Sequence, residues 1–465
     1  MFNANTYIHR RAQLANTIKT GVLLLLGNGE SPMNYTDNTY HFRQDSTFLY
    51  YFGISAPNLA AMIDADENTV TVFGDEMTID EIVWMGRQET LQQKCHKAGV
   101  GQTVAANALA AAIHKAVSQN RAIHYLPPYR GDNKIKLAEL LGVGTGELAT
   151  GASVPFIKAV IAQRAIKTAE EIVEIEKAVN ITGAMHLMAM QIARPGLTEN
   201  DVAAAIHKVA LEGGGNLAFP IIMTTHGEIL HNHYHGNILK DGQLLLNDSG
   251  AETAMGYAGD MSRTFPVGKT FTAQQKDIYS IALGAHDAAI GKLQPGTRYL
   301  DVHYTACKTI ADGLKQLGLM KGDVEEAVAA GAHALFFQCG TGHMMGLDVH
   351  DMEDLGEQYV GYTDVLRKNT TQFGLKSLRL GRELEAGFVL TIEPGIYFIP
   401  ELIDMWKAEN RFAEFINYEK VEAWKYFGGL RAEEDFVITE TGCQLLGKPV
   451  PKTIAEIEAV RAAAF

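Results

Sequence analysis

The chain has 465 residues, of which 47% are apolar and 20% charged, so it is long enough for about two or three domains with substantial cores. This composition excludes global disorder, because disordered chains are poor in apolar residues and rich in charge. The 54 acidic residues outnumber the 40 Lys and Arg residues, giving a net charge of −14. Such a chain repels phosphate backbones, and we expect no nucleic-acid partner.

The cysteines and the apolar runs indicate the compartment. The four cysteines form no CxxC pair, which is typical of a reducing compartment and argues against a disulfide scaffold or a structural zinc site. The longest early apolar run, at 21–27, is too short to cross a bilayer and lacks the flanks of a secretory signal. We therefore expect a cytoplasmic protein that does not bind membranes.

Strand-like and helix-like segments alternate through the amino-terminal third of the chain. Apolar runs ended by turn residues predict strands within three segments: 21–27, 59–66 and 68–75. Apolar residues at helical spacing predict helices within 11–18 and 106–117. This alternation is typical of an α/β domain, which we place at residues 1–165.

Long helices open the second part of the chain, residues 166–465. Thr168 and Glu171 have the spacing of a capping box, and the amphipathic helix that follows is closed by Pro195. Two more helices are predicted in the segments that begin at Thr198 and Thr272, each with an acid or amide three residues after the threonine.

Acidic and histidine side chains stand at the ends of apolar runs in this second part. Asp248 ends QLLLND, Asp260 lies twelve residues later on a predicted returning hairpin strand, and Glu393 ends FVLTIE before a Pro-Gly turn. His343 in GTGH and Glu433 in GLRAEED complete the set. Each alone has a structural explanation, such as a turn, a strand cap or a pair with a nearby arginine. Together, four carboxylates and one imidazole balance two divalent cations and suit Mn²⁺, with Co²⁺, Fe²⁺ or Zn²⁺ as alternatives.

With these motifs the sequence resembles the pita-bread metallopeptidases, which include prolidase, aminopeptidase P and methionine aminopeptidase. DSGAE, GYAGDMSRTFP, GHMMGLDVHD, TIEPGIYF and GLRAEED follow the family's order Asp, Asp, His, Glu, Glu between residues 168 and 445. FRQDSTFLYYFGI and the WMG at 84–86 resemble the creatinase/aminopeptidase-P-type domain, which methionine aminopeptidases generally lack. The resemblance implies an α/β (α+β) fold, with a creatinase/aminopeptidase-P-like domain at 1–165 and a pita-bread catalytic domain at 166–465.

The resemblance also implies the roles of the metal ligands. Asp248 would chelate one metal ion and His343 with Glu393 the other, while Asp260 and Glu433 would bridge both. Two cations about 3.5–4 Å apart lower the pKa of a bridging water, so hydroxide exists near neutral pH. Glu393 would then act as general base and afterwards as general acid.

Five further residues are implied as substrate contacts: His231, His350, Arg379, Arg431 and Tyr397. The two histidines are also counted with Glu393 as catalytic residues, since a neighbouring imidazole helps to hold the oxyanion. His231 is one of four histidines between 226 and 235, and the ILH context favours it over His233. The alternative is that this cluster belongs to a solvated loop.

Two departures from the family pattern bear on the site. Asp248 and Asp260 are separated by one residue more than in most members, and both strand registers survive only if the extra residue lies at the hairpin tip, near 253–255. The chain also reads CGTGH where members often read HGxGH, so Cys339 replaces a histidine that helps to shape the pocket. Altered specificity or rate would follow, but not loss of metal.

The resemblance leaves two peptidase activities open. Prolidase cleaves Xaa-Pro dipeptides, and aminopeptidase P removes the first residue of longer peptides with proline in second position. Arg379 resembles the prolidase arginine that grips the free carboxylate of a dipeptide, and the long segment between Glu393 and Glu433 is also more similar to prolidase. We therefore favour a dipeptidase, expected as a homodimer, over an aminopeptidase. The third alternative is a non-enzymatic binding protein on the same fold.

Overall fold

The computed structural model describes all residues, 1–465, and the chain divides into two compact units. The first comprises Met1–Arg164 with Met352–Tyr359, and the second comprises Ala165–Asp351 with Val360–Phe465. None of the helices combines the length and the apolar character that crossing a bilayer would require.

The helices and strands are numbered here in chain order. The α-helices are α1 (Ala4–Ile18), α2 (Ser46–Phe52), α3 (Ile79–Met85), α4 (Leu91–Lys97), α5 (Leu109–Ser118), α6 (Gly131–Leu141), α7 (Leu148–Gly151), α8 (Val154–Ala165), α9 (Ala169–Ile192), α10 (Glu199–Glu212), α11 (Ala273–Ile290), α12 (Tyr299–Gln316), α13 (Val324–Ala330), α14 (Glu357–Val360), α15 (Pro400–Ala408), α16 (Tyr418–Glu422) and α17 (Ile454–Ala463). The strands are β1 (Val22–Leu26), β2 (Ala60–Asp64), β3 (Thr69–Phe73), β4 (Gln102–Val104), β5 (Ile123–His124), β6 (Asn216–Leu217), β7 (Ile222–Thr224), β8 (Leu244–Asp248), β9 (Ala251–Glu252), β10 (Ser262–Pro266), β11 (Val389–Ile392), β12 (Gly395–Tyr397), β13 (Gly429–Arg431), β14 (Glu434–Thr439) and β15 (Gly442–Leu445).

The first unit is built on a five-stranded sheet with the order β4-β3-β2-β1-β5. The pairs β1–β2 and β2–β3 are antiparallel, whereas β3–β4 and β1–β5 are parallel, so the sheet is mixed. Leu24 and Phe73 of the sheet form one apolar cluster with Ile113 of α5 and Leu137 of α6. The three predicted strands and the two predicted helices are all present, and the α/β prediction is confirmed.

The FRQDSTFLYYFGI motif forms a buried helix in this unit. Asp45 caps α2 by accepting the N–H of Phe48 at 2.8 Å, and every residue of α2 is buried. Arg11 of α1 donates to the carbonyl of Tyr51 at 2.7 Å and to that of Ala98 at 2.8 Å. The motif therefore anchors α1 to the end of α2.

The second unit joins long helices to several small sheets. Its larger sheets have the orders β10-β8-β7 and β11-β14-β15, and β12–β13 and β6–β9 form two-stranded pairs. Capping boxes are present at Thr168, Thr198 and Thr272, as predicted. The first of these helices ends at Ile192, before Pro195, because the residue preceding a proline is disfavoured in the helical region.

Candidate metal centre

The β8–β10 hairpin carries the two predicted aspartate ligands in one unbroken register. Asp248 is paired with Ser262, and further along the hairpin Glu252 is paired with Ala258. The sum of the two residue numbers is 510 in both pairs, so no bulge lies between them, as the prediction of an extra residue at the hairpin tip requires. Asp260 precedes β10 by two residues instead of lying within it, which corrects the prediction of a strand position. Because side chains alternate along a strand, Asp248 and Asp260 still share one face.

The hairpin approaches helix α9 closely. A Cβ on Gly259 would lie 2.7 Å from the backbone nitrogen of Val179, so a larger residue could not occupy this position without a backbone shift. Nearer the turn, Tyr257 donates its hydroxyl hydrogen bond to Oε1 of Glu171 at 3.0 Å. The turn is therefore fixed against the start of α9.

His343 and Glu393 are held by the end of β11. The His343 N–H donates to the Thr391 hydroxyl at 3.2 Å, and the Thr391 N–H donates to the His343 carbonyl at 3.0 Å. The Glu393 N–H donates to the Thr341 carbonyl at 2.7 Å. These contacts hold His343 and Glu393 at the end of β11, where His343 Nε2 lies 3.6 Å from Glu393 Oε1.

Glu433 lies between β13 and β14, beside the returning strand of the hairpin. Its N–H donates to the Ser262 carbonyl at 3.0 Å, and the Ser262 hydroxyl donates to its Oε2 at 2.8 Å. Ser262, opposite Asp248 in the hairpin, therefore places Glu433 near both aspartates.

The structure brings all five predicted ligands together. Asp260, His343 and Glu433 offer ligand atoms that all lie within 4.8 Å of one another. His343 Nε2 is 3.4 Å from Asp260 Oδ2 and 3.6 Å from Glu393 Oε1. A 3.0 Å hydrogen bond between His343 Nδ1 and the Met344 carbonyl leaves Nε2 unprotonated toward the carboxylates when the ring is neutral. Asp248 lines the same cavity and forms an ion pair with Arg431.

Burial strongly perturbs the protonation of this cluster. It raises the pKa of Asp248 to about 7 and, together with the charge of Asp260, raises the pKa of Glu433 well above its usual range. Burial also raises the pKa of Glu393. Burial alone would lower the pKa of His343, but its hydrogen bond to Asp260 and the charge of Glu393 raise it. So many buried carboxylates repel one another unless a cation or protons neutralise them.

The donor set fits divalent cations. Oδ1 of Asp260 is buried and has no hydrogen-bond partner, which leaves it available to a cation. Carboxylate oxygens with a single imidazole and no thiolate suit Mn²⁺, Co²⁺, Fe²⁺ or Zn²⁺ at an open site. Asp248, Asp260, His343, Glu393 and Glu433 are therefore the residues that could hold such ions.

Arg431 lies inside this network. Its guanidinium donates to Tyr397 Oη at 2.7 Å and to Ser262 Oγ at 2.9 Å, in addition to the ion pair with Asp248. It therefore pairs with Asp248 and not with its sequence neighbour Glu433. Arg431 also lines the cavity, whereas Tyr397 is fully buried and does not. A substrate contact for either residue stays a prediction.

One cavity adjoins the candidate ligands, and all five contribute to its wall. Besides Arg431, the other lining residues named as candidates are His231, His233, His350, Arg379 and Cys339. The ring of His350 lies 4.4 Å from that of His343, nearly perpendicular to it. Apolar groups complete the wall: Phe219, Pro220, Ile222, Leu230 and Val349.

The four clustered histidines divide into two pairs. His231 and His233 line the cavity, whereas His226 hydrogen-bonds to Glu228 and His235 hydrogen-bonds to the backbone. The solvated-loop alternative therefore fits only part of the cluster. The preference for His231 over His233 stays a prediction, since both line the same wall.

Cys339 occupies the predicted place in the pocket. Its Sγ lies 3.9 Å from Tyr397 Oη, and burial raises the pKa of the thiol to about 12. A neutral thiol here packs as a small apolar group, in contrast to the imidazole that the family pattern places at this position.

Sequence reasoning missed several residues that position the centre. Asp435 accepts the N–H of Asp260 at 3.1 Å, and its own pKa is raised well above the usual range by burial and by the charge of Asp260. Lys167 forms a buried ion pair with Asp351 at 2.8 Å, immediately after His350. The three acids at 433–435 were visible as a run, but a run does not show which carboxylate faces a backbone N–H.

Two family models and several known proteins match this chain. The model of metallopeptidase family M24 matches residues 173–440, and that of the aminopeptidase P N-terminal domain matches residues 7–124. The chain is 30% identical to the Xaa-Pro dipeptidase of Homo sapiens, with 96% of this chain and 90% of that protein covered. It is also 30% identical to the Xaa-Pro aminopeptidase of Escherichia coli K12, with 98% and 97% covered.

Solved structures match the whole chain. The aminopeptidase PepP of Pseudomonas aeruginosa is 27% identical with a TM-score of 0.80, and 100% of this chain and 99% of that chain are covered. Zn-substituted aminopeptidase P of E. coli in complex with product is 28% identical with a TM-score of 0.81 and the same coverage. The predicted two-domain fold is confirmed. Because the family model spans more than half of its residues, the chain belongs to metallopeptidase family M24.

Proposed function

We propose that this protein is a dinuclear-metal peptidase that hydrolyses the Xaa-Pro bond, with dipeptides as its preferred substrates. Asp248 would hold one cation, His343 and Glu393 the other, and Asp260 and Glu433 would bridge them. The proximity of the Asp260, His343 and Glu433 ligand atoms supports this assignment. We expect Mn²⁺ as the metal.

Bound divalent cations would supply a water of lowered pKa and polarise the scissile carbonyl. Glu393 would accept the proton of the attacking water at its carboxylate and pass it to the leaving proline nitrogen. His350 and His231, in the wall of the same cavity, would donate hydrogen bonds to the substrate carbonyl as it gains negative charge. The apolar wall that includes Phe219 and Val349 would exclude water and contact the proline ring.

The position of Arg379 in the cavity wall is the observation that favours a dipeptidase. It lines the cavity beside Glu393, and its charge interacts with both Glu393 and His343. A guanidinium in the wall of the same cavity would bind the free carboxylate of a dipeptide. A longer peptide carries an amide at that position and would lose the ion pair.

The alternative is an Xaa-Pro aminopeptidase that acts on longer peptides. It is favoured by the whole-chain matches to aminopeptidase P structures, while the dipeptidase and aminopeptidase relatives are equally distant at 30% identity. In both cases the substrate is a small peptide with proline in second position.

Hydrolysis of Ala-Pro and Ala-Pro-Ala by chelator-stripped protein, with and without Mn²⁺, tests the proposal. We expect Mn²⁺-dependent cleavage, with a higher kcat/KM for the dipeptide. A higher kcat/KM for the tripeptide would establish the aminopeptidase alternative. Cleavage of neither substrate by protein that retains about two Mn²⁺ per chain would contradict both.

Three further features belong to the same proposal. We place the domain boundary between residues 165 and 166, which the division of the compact units at Arg164 supports. We also expect a homodimer, testable by sedimentation, and a cytoplasmic location, which the scattered cysteines without a CxxC pair support.

A further inference from the structure

A second cluster of metal-binding side chains lies in the catalytic unit, away from the carboxylates. His303 and Cys307 are four residues apart on α12, so they share one helix face, and His333 lies on the short helical turn Ala332–Leu335. One ligand atom from each of these three residues lies within 4.8 Å of the others. All three side chains are fully buried.

The burial of His333 is not explained by any hydrogen bond within the protein. Both of its ring nitrogens are buried, and neither has a hydrogen-bond partner. A buried polar group without a hydrogen-bond partner destabilises the folded state, so it is unusual that both nitrogens of one imidazole lack a partner. A ligand between the three residues would satisfy one of them.

His303 is oriented as a metal-ligating imidazole would be. Its Nδ1 hydrogen-bonds to the Thr341 hydroxyl at 2.8 Å, and its Nε2 lies 3.4 Å from the Cys307 sulfur. Ligating histidines in proteins typically fix one ring nitrogen in this way and present the other to the metal. A Cys307–His303 hydrogen bond alone would explain this pair, but it would leave His333 unsatisfied.

Charge decides which ion would fit. A histidine binds a metal ion as a neutral ring, whereas a cysteine binds it as a thiolate. With one thiolate, a divalent ion would leave a net positive charge in a fully buried site, which is unfavourable. A monovalent ion gives an electroneutral complex, and thiolate and imidazole donors are those that Cu⁺ takes.

We propose that His303, Cys307 and His333 form a three-coordinate site for Cu⁺, separate from the carboxylate centre. As the Cu–S bond forms, the Cys307 thiol releases its proton to solvent, and copper remains in the monovalent state. The Thr341 hydroxyl holds His303, and the Thr341 carbonyl accepts the N–H of Glu393, so this residue connects the two centres.

Anaerobic titration with Cu⁺ tests the proposal directly. Full-length protein is stripped with chelator, loaded with Mn²⁺ to occupy the carboxylate centre, and titrated with Cu⁺ in competition with bathocuproine disulfonate. We expect one retained Cu⁺ per chain, and X-ray absorption should show one sulfur and two nitrogen neighbours. Retention of no Cu⁺, or a copper shell without sulfur, would overturn the proposal.

Cysteine variants locate the bound ion. Cys307→Ser keeps the shape of the side chain but replaces the sulfur, and we expect it to bind Cu⁺ at least about tenfold more weakly while retaining its Mn²⁺ and its circular dichroism spectrum. Cys443→Ser, at a half-buried cysteine on β15, is the matched control and should bind like the wild type. Equal binding by the wild type and Cys307→Ser would contradict the assignment. Preferential retention of Zn²⁺ with four neighbours would contradict the choice of a monovalent ion.

Discussion

The guanidinium of Arg431 forms an ion pair with Oδ2 of Asp248, although the two residues are 183 positions apart in the chain. The same guanidinium donates to Tyr397 and Ser262, so it connects β8, β10, β12 and β13. Arg431 is therefore the side chain whose positive charge neutralises Asp248 when no metal ion is bound.

Replacing Arg431 should destabilise the metal-free protein more than the Mn²⁺-loaded protein. Arg431→Met leaves Asp248 buried without its partner, and the loss of one member of a buried pair costs about 3–5 kcal/mol. We expect a loss of this size in the free energy of unfolding by urea at pH 8 after chelation. The loss should be smaller with Mn²⁺, because bound cations would compensate Asp248. Arg298→Met, at an exposed pair with Asp301, is the control. Equal losses with and without Mn²⁺ would contradict a ligand role for Asp248.

Asp260→Asn should abolish activity, because it removes the negative charge of a ligand shared by both cations. Loss of a residue that only supports a ligand costs about 10–100-fold, so a larger loss in kcat is expected here. Metal content measured by mass spectrometry should fall in parallel. Asp301→Asn, at an exposed carboxylate, should leave both quantities unchanged. Turnover near that of the wild type would exclude Asp260 as a ligand.

Arg379→Ala should weaken Ala-Pro hydrolysis more than Ala-Pro-Ala hydrolysis. A charge-assisted bidentate hydrogen bond to a carboxylate contributes about 1.5–3 kcal/mol, which corresponds to roughly a 10–100-fold loss in kcat/KM for the dipeptide. Arg298→Ala serves as the control for a lost surface charge. If both substrates lose equally, Arg379 does not recognise the dipeptide carboxylate.

His186 should make stability fall in mild acid. Its Nδ1 accepts from Asn247 at 3.0 Å and its Nε2 donates to the Ser249 carbonyl at 3.1 Å, and burial lowers its pKa from 6.5 to about 3. Below pH 6.5 the unfolded chain therefore binds a proton that the folded chain does not, so stability decreases as the pH falls toward 3.

The variant His186→Gln should remove the contribution of this one proton to the pH dependence of stability. In chelator-treated protein we expect the slope of unfolding free energy between pH 6.5 and 5 to decrease by up to about 1.4 kcal/mol per pH unit. His114→Gln, at an exposed histidine, is the control and should leave the slope unchanged. An unchanged slope in His186→Gln would show that the buried ring titrates normally.

Deletion of one residue should be tolerated in the turn of the hairpin but not in its strands. Removing exposed Ala254 changes only the turn, so metal content and most of the activity should persist. Removing Ala251 shifts Asp248 by one position against the partner strand and turns it to the face opposite Asp260. We expect that variant to lose bound Mn²⁺. Loss of metal in both variants would show that the turn itself shapes the site.

Local signals made much of the fold predictable. The capping boxes at Thr168, Thr198 and Thr272 are encoded within four residues each, and the apolar runs of β1 to β3 need no distant partner to be recognised. The five candidate ligands are recognisable from sequence because each stands in a short motif, and the order of these motifs resembles that of a known family.

What the sequence did not reveal depends on contacts between distant segments. No local pattern shows that Arg431 pairs with Asp248, or that Asp435 accepts the N–H of Asp260. His303 and Cys307 are recognisable as neighbours on one helix, but the approach of His333 follows from tertiary packing alone.

The unbroken hairpin register changes how relatives of this protein can be recognised. The number of residues between Asp248 and Asp260 counts the loop as well as the strands, so it can vary by one without moving either carboxylate. A shared metal site requires only that both aspartates stay on one side of the hairpin, as the pairing in this chain keeps them. A sequence search that requires a fixed number of residues between the two aspartates would miss chains with a longer turn. A search that scores the residue pairs of the two strands would retain them.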